Sequence, residues 1–314
     1  MFELAGRRVW VAGHRGMVGS AIWRALESRG DVDLVGWTSA ELDLTDRAAT
    51  IDAVTEARPD VVVLAAAKVG GIGANSADPV GFFRDNVHIQ TNVMEAAHHA
   101  DVDRLLFLGS SCIYPRLAPQ PLRPDALMTG ALELTNDGYA IAKIAGIVHI
   151  AGYRRQYGRR WISAMPTNLY GPGDDFDLES AHVLPALIHR FDEAVRTGTN
   201  TVTLWGSGTP RREFLHVDDL ARASVTLLER YDADDPINIG TGEDLPIADL
   251  ADIVADVVGF DGHITWDTSR PDGTPRKVLD VGPMRALGWE PAVGLRDGIA
   301  ATHDWFVKHQ HDRG

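Results

Sequence analysis

The sequence predicts an α/β fold built on a doubly wound parallel sheet. Three observations carry that expectation. Short apolar runs alternate with helical patterns, and the third run, residues 61–66, is apolar throughout, as suits a parallel strand covered on both faces. A glycine cluster, Gly13-x-x-Gly16-x-x-Gly19, leaves the first run and opens the first helical pattern. Ser110-Ser111-Cys112 follows the fourth run, at the carboxyl end of a strand, where such sheets bind ligands.

The elements follow in order. Residues 8–12 read as a buried strand, and 17–29 then have helical periodicity. Residues 32–37 form a second strand, and 48–57 a helix ended by Pro59. After the third strand, 79–99 is a long helix and 104–108 a fourth strand. The Pro-rich stretch 114–137 is a long loop, a length that in compact domains usually serves function. Residues 138–157 form a helix whose Ile141, Ile144, Ile147, Val148 and Ile150 run nearly all the way round, so more than one side is buried. Residues 161–165 are a further strand. Beyond about residue 170, Gly and Pro become frequent and strand–helix alternation becomes irregular. The expected division is a Rossmann-type dinucleotide domain over 1–170 and a smaller, mixed substrate domain over 171–314. Segments around 210–240 are expected to return to the first domain.

The balance of 30 Lys+Arg against 44 Asp+Glu gives a net charge of −14, which argues against a nucleic-acid partner. One cysteine permits no intrachain disulfide and fits a reducing compartment. No apolar run approaches the ~20 residues of a membrane span, and no secretory leader is evident. The expectation is a cytoplasmic protein without membrane partners. No metal is expected.

Tyr139 and Lys143, four apart on a helix, share one face. A phenol titrates near 10, too high for easy proton transfer, and an adjacent ammonium is expected to lower it. The pair can then exchange a proton with a carbonyl or alcohol oxygen; alone, such a spacing is usually ordinary helix surface. In the glycine cluster, Gly13 permits a tight turn, Gly16 a close pyrophosphate and Gly19 close helix–strand packing, with free N–H groups at the helix start. His14, Arg15, Met17 and Val18 complete that loop. The end of the second strand, Gly36-Trp37-Thr38-Ser39-Ala40, has neither the acid that binds ribose hydroxyls nor the Arg that binds a 2′-phosphate. Asp43 has two readings, one under the adenine and one as a helix N-cap. A lone cysteine is commonly a small buried hydrophobe, but Cys112 stands at the ligand edge close to Tyr139. Spacing alone reads His182 as a helix-terminal surface residue. Arg190, Trp205, Arg211 and Arg212, with the 271–277 stretch, suit a nucleotide diphosphate and base by pairing and stacking, yet spacing alone favours a solvated charged face.

Gly13-His14-Arg15-Gly16-Met17-Val18-Gly19-Ser20, Leu108-Gly109-Ser110-Ser111-Cys112-Ile113-Tyr114-Pro115 and Tyr139-Ala140-Ile141-Ala142-Lys143 closely resemble the GDP-L-fucose synthase family. Met165-Pro166-Thr167-Asn168-Leu169-Tyr170-Gly171-Pro172 and Arg212-Glu213-Phe214-Leu215-His216 extend the resemblance over almost the whole chain. The glycine and Tyr-Lys motifs mark only the extended short-chain dehydrogenase/reductase superfamily. The resemblance implies 3,5-epimerisation of GDP-4-keto-6-deoxy-D-mannose, then reduction of its C4 ketone by NADPH. It implies Ser110, Tyr139 and Lys143 as the reductase triad and Cys112 and His182 as the epimerisation pair. It puts the cofactor against the glycine loop, Ser39, Asp43, Leu108, Gly109, Ser111, Tyr139, Lys143, Pro166, Thr167, Asn168, Leu169 and His182. It puts the GDP-sugar against Arg190, Trp205, Arg212, Asp272 and Lys277, and implies a homodimer paired through the helices at 79–99 and 138–157. The family's Arg near Ser39 is missing, so NAD use beside NADP (NADPH) is expected. Two other readings remain: a related epimerase or reductase acting on another GDP-deoxyhexose, and a non-catalytic dinucleotide-binding regulator.

Overall fold

The computed structural model describes residues 1–270 and 272–309; Pro271, the first residue of the 271–277 stretch, and residues 310–314 lie outside the described residues. The first half runs β1 (Arg8–Ala12), α1 (Met17–Glu27), β2 (Asp33–Val35), α2 (Arg47–Ala57), β3 (Val61–Leu64), α3 (Ile72–Ala77), α4 (Pro79–His99), β4 (Arg104–Leu108), α5 (Asp137–Tyr157) and β5 (Ile162–Pro166). It continues with β6 (Asn168–Tyr170), α6 (Val183–Thr197), β7 (Thr201–Trp205), β8 (Arg211–Arg212), β9 (Phe214–His216), α7 (Val217–Arg230) and β10 (Ile237–Ile239). The last part holds β11 (Leu245–Pro246), α8 (Ile247–Val258), β12 (His263–Asp267), β13 (Arg276–Lys277), α9 (Gly282–Ala286) and α10 (Leu295–His309).

The elements expected over the first half form, with ends displaced by a few residues. Strand β2 is shorter than expected because Trp37 leaves the sheet to pack edge-on against Trp10, ring centroids 5.4 Å apart. Helix α3 is an addition; at 6 residues it is too short for a hydrophobic period to register.

Six strands form one parallel sheet in the order β10-β5-β4-β3-β1-β2. Side-chain alternation sends Val9, Val11, Val61, Val63, Leu106 and Ile162 to one face, against α1 and α7. It sends Trp10, Val62, Leu64, Leu105 and Phe107 to the other, against α4 and α5. A third core joins α6, α8, α10 and β7 around Leu187, Ile188, Phe191, Leu204, Leu250, Val254 and Phe306. After β1 the chain turns to β2 on one side and then crosses to β3 on the other, so a crevice opens at the carboxyl ends of β1 and β3.

Helix α5 does not bury its whole circumference. Ile144, Ile147 and Ile150 are buried, whereas Ile141 and Val148 are 45% and 47% exposed. Together with Ala145 they make an apolar stripe, and Val80 and Phe83 of the neighbouring α4 are exposed as well.

Candidate active site

The turn after β1 is built on glycine. Gly13 has φ +85°, and a Cβ there would meet the Ala66 backbone nitrogen at 2.7 Å. A Cβ on Gly19 would lie 2.0 Å from the Gly13 carbonyl oxygen, so only glycine lets α1 start this close to the turn. Gly16 differs: its Cβ would meet nothing nearer than 3.5 Å, and it caps α1 without any side-chain hydrogen bond. An open approach and an uncapped helix start suit a dinucleotide's pyrophosphate. His14 lies beside Trp23 at 5.1 Å, its Nδ1 buried and without a hydrogen-bond partner. Burial first, then the Arg15 charge, lower its pKa.

Folding brings a carboxylate to the end of β2 that residues 36–40 do not contain. Glu41 accepts hydrogen bonds from the Thr38 N–H at 2.7 Å and the Thr38 hydroxyl at 2.8 Å. Those bonds hold its carboxyl below the usual range, and its charge bears on His14 and Arg15. Ser39 stands in the same turn. Asp43 is not a helix N-cap: Asp46 caps α2 through the Ala49 N–H, and Asp43 accepts from Thr45, closing the turn before it.

At the end of β4, the Leu108 carbonyl accepts a 2.8 Å hydrogen bond from Lys143, Gly109 bonds back to β5, and Ser111 is buried. The Ser110 hydroxyl accepts from the Cys112 N–H at 3.2 Å and lies within reach of both the Cys112 thiol and the Tyr139 phenol. Cys112 and Tyr139 keep some accessible surface although protein crowds them on their other sides, so they line a cleft. His182, the N-cap residue of α6, feels the charges of Asp175 and of Lys277, the lysine that bonds the Cys112 sulfur. Burial lowers its pKa. Ser110, Cys112, Tyr139 and Lys143, drawn from two segments, are thus brought together, and Lys277 links them to His182.

The expected effect of Lys143 on Tyr139 is not found. Burial pushes the phenol above its ordinary range, and the Cys112 charge adds to that. Lys143 is itself buried, with its Nζ 5.8 Å from the Tyr139 ring centroid and bonded to a carbonyl instead. Desolvation pulls it down to about 7, so its own charge is only partial at neutral pH.

Pro166 ends β5 and Thr167, Asn168 and Leu169 follow it, and the Thr167 hydroxyl and Asn168 amide both donate to the Glu213 carbonyl. Among the sugar-nucleotide candidates, Lys277 lies 3.5 Å from the Cys112 sulfur, and Arg212 is near enough to lower that thiol's pKa. Trp205 is exposed with the Arg270 guanidinium 4.8 Å over its ring, and Arg190 lies on α6 beyond His182. Asp272 accepts from the Ser207 N–H and hydroxyl at 2.7 and 2.9 Å, so its carboxylate shapes the turn after β7. Arg270 and Glu41 escape sequence reasoning, since each gains its meaning only from a neighbour brought by folding.

The Lys143 environment sets a pH dependence. The unfolded lysine titrates near 10.4 and the folded one at about 7, so between these the unfolded chain holds more protons. Stability is therefore expected to rise with pH from about 7 toward 10, by at most about 1.4 kcal/mol per unit from this residue. Urea unfolding of the cofactor-free chain at pH 7, 8 and 9 measures it. Lys143→Met should flatten the rise, and an identical slope in both proteins would reject a desolvated lysine.

The family model described as the NAD dependent epimerase/dehydratase family matches residues 9–240. The chain is 54% identical to GDP-L-fucose synthase 1 of Arabidopsis thaliana over 98% of its own length and 95% of the relative's. It is 52% identical to GDP-L-fucose synthase of Escherichia coli (strain K12), covering 98% of each. The crystal structure of a GDP-L-fucose synthetase from Naegleria fowleri bound to NADP superposes with a TM-score of 0.90 at 26% identity, over 99% of this chain and 97% of that one. The chain belongs to the NAD dependent epimerase/dehydratase family and, within it, to the GDP-L-fucose synthases.

Proposed function

We propose that this chain converts GDP-4-keto-6-deoxy-D-mannose to GDP-L-fucose by epimerising C3 and C5 and then reducing C4 with NADPH. The observation that carries this reading is the meeting of Ser110, Cys112 and Tyr139, with Lys277 between Cys112 and His182. The C4 ketone acidifies the C–H bonds on either side of it. Inverting a carbon needs a base on one face of the enolate and an acid on the other, and Cys112 and His182 come from separate segments able to flank a ring. Bound NADPH supplies the hydride for C4. Tyr139 then gives its proton to the C4 oxygen, and its raised pKa keeps that proton in place until charge develops there. Ser110 hydrogen-bonds the same oxygen. Lys143 fixes the end of β4 through the Leu108 carbonyl.

Tyr139→Phe should lower reduction by about 10²–10⁴-fold while deuterium from solvent still enters at C3 and C5. Absorbance of NADPH and mass spectrometry of the sugar measure the two steps. Near-normal reduction in this variant would remove Tyr139 from the proposed role.

Both nicotinamide cofactors are used in this reading. A 2′-phosphate near Ser39 has Arg15 to pair with, but the Thr38 N–H and hydroxyl already donate to Glu41, whose charge opposes it. The wild type should prefer NADPH by about tenfold or less in kcat/KM, and Ser39→Arg should widen that by about one to two decades. A preference of roughly a thousandfold in the wild type would mean that the phosphate binds elsewhere.

The exposed stripe of Ile141, Ala145 and Val148, beside Val80 and Phe83, supports a homodimer paired through α4 and α5. Sedimentation equilibrium should give twice the chain mass, and Ile141→Asp should shift it toward the monomer. A wild type that sediments as a monomer at micromolar concentration overturns this pairing.

A further inference from the structure

Strands β8 and β13 lie parallel, with Arg211 opposite Arg276 and Arg212 opposite Lys277. In-register residues share a face, so this ladder presents two pairs of cations on opposite faces. On one face Arg211 and Arg276 share Asp244, a carboxylate only 5% exposed. On the other, neither Arg212 nor Lys277 has a carboxylate within 4 Å among the described residues. Glu133 is paired with Arg116 at 3.2 Å, and Asp272 is bonded to Ser207. The Lys277 ammonium instead donates to the Cys112 sulfur at 3.5 Å.

We propose that this ladder is a sulfur-holding device: Lys277, backed by Arg212, sits against the Cys112 sulfur as a positioning residue for its proton transfer in the epimerisation. The assignment rests on the function proposed above. Ser110 and Tyr139 also face the thiol, and His182 stands near Lys277. Burial by itself pushes the thiol up; Lys277, Ser110 and Arg212 outweigh it and hold it below its ordinary value. In the step itself the substrate C–H bond breaks, an S–H bond forms on Cys112, and the electron pair enters the enolate toward the C4 oxygen. Lys277 transfers nothing. It is a positioning residue that fixes the charge state of the sulfur.

Cys112 is the chain's only cysteine, so alkylation reports on it alone. The iodoacetamide rate of the cofactor-free enzyme, followed from pH 5 to 10, should show a midpoint below the ordinary thiol value of about 8.5. Lys277→Met should raise that midpoint by about one unit or more, and Lys277→Arg should restore most of the shift. The pH profile of C3 deuterium exchange should move with it. If the midpoint stays in place while KM for the GDP-sugar rises and kcat does not change, Lys277 is a phosphate ligand only and the proposal fails. Should Lys277→Met not unfold cooperatively, Lys277→Gln removes the charge while keeping a donor, and the same two outcomes decide. The titration needs no substrate. Undiminished exchange in Cys112→Ser would therefore defeat the function assigned to the thiol without touching the ladder.

Discussion

A buried carboxylate with no exposed surface joins the two halves of the active site. Glu213 accepts the N–H of Gly242 at 2.7 Å and of Leu279 at 2.8 Å, and the Thr241 hydroxyl at 3.3 Å. Its own carbonyl accepts the side chains of Thr167 and Asn168. One residue thus ties the ends of β5 and β10, in the central sheet, to the segment that follows β13. Burial raises its pKa, and only this set of donors makes an acceptor there tolerable. Leu279 is two residues beyond Lys277, so the position of the cation beside Cys112 depends on this acceptor. The same segment is held again by the 114–137 loop, where Leu122 exchanges backbone hydrogen bonds with Val278 and Asp280.

Parallel strands impose the remainder. Every crossover returns the chain to the same end of the sheet, so the carboxyl ends of β1, β3, β4 and β5 gather on one edge. The glycine turn, Ala66, Ser110 and Thr167 are neighbours for that reason alone. The third core holds α6, whose N-cap residue is His182. The loop before α6 is docked on the first half through the Gly71 N–H, which donates to the Ser180 carbonyl at 2.7 Å. A Cβ on Gly71 would come within 2.5 Å of the Ala181 carbonyl oxygen, so that approach requires glycine.

Inside the cleft, desolvation and charge compete, and the winner differs from residue to residue. For Tyr139 and Lys143 burial wins: the phenol keeps its proton and the ammonium loses much of its charge. For Cys112 the neighbouring cations win, and the thiol ionises more readily although it is crowded by protein. A phenol that holds its proton and a thiol that releases one more readily therefore sit side by side around Ser110. Lys277 bonds the thiol directly, whereas Lys143, though over the Tyr139 ring, gives its hydrogen bond to the Leu108 carbonyl.

The sequence by itself determined the α/β class, the order of the elements in the first half, and the identities of the groups most able to do chemistry. Those are local properties. Apolar runs fix strand and helix periods, and a glycine cluster between a strand and a helix has few other uses. What the tertiary structure alone decided is where charge lies. Glu41 reaches Thr38 by a turn, Asp46 rather than Asp43 caps α2, and Lys143 turns to the Leu108 carbonyl. Lys277 reaches Cys112 across 165 positions of chain. Electrostatic effects depend on distance and on burial, and neither is set by sequence spacing once residues belong to different elements.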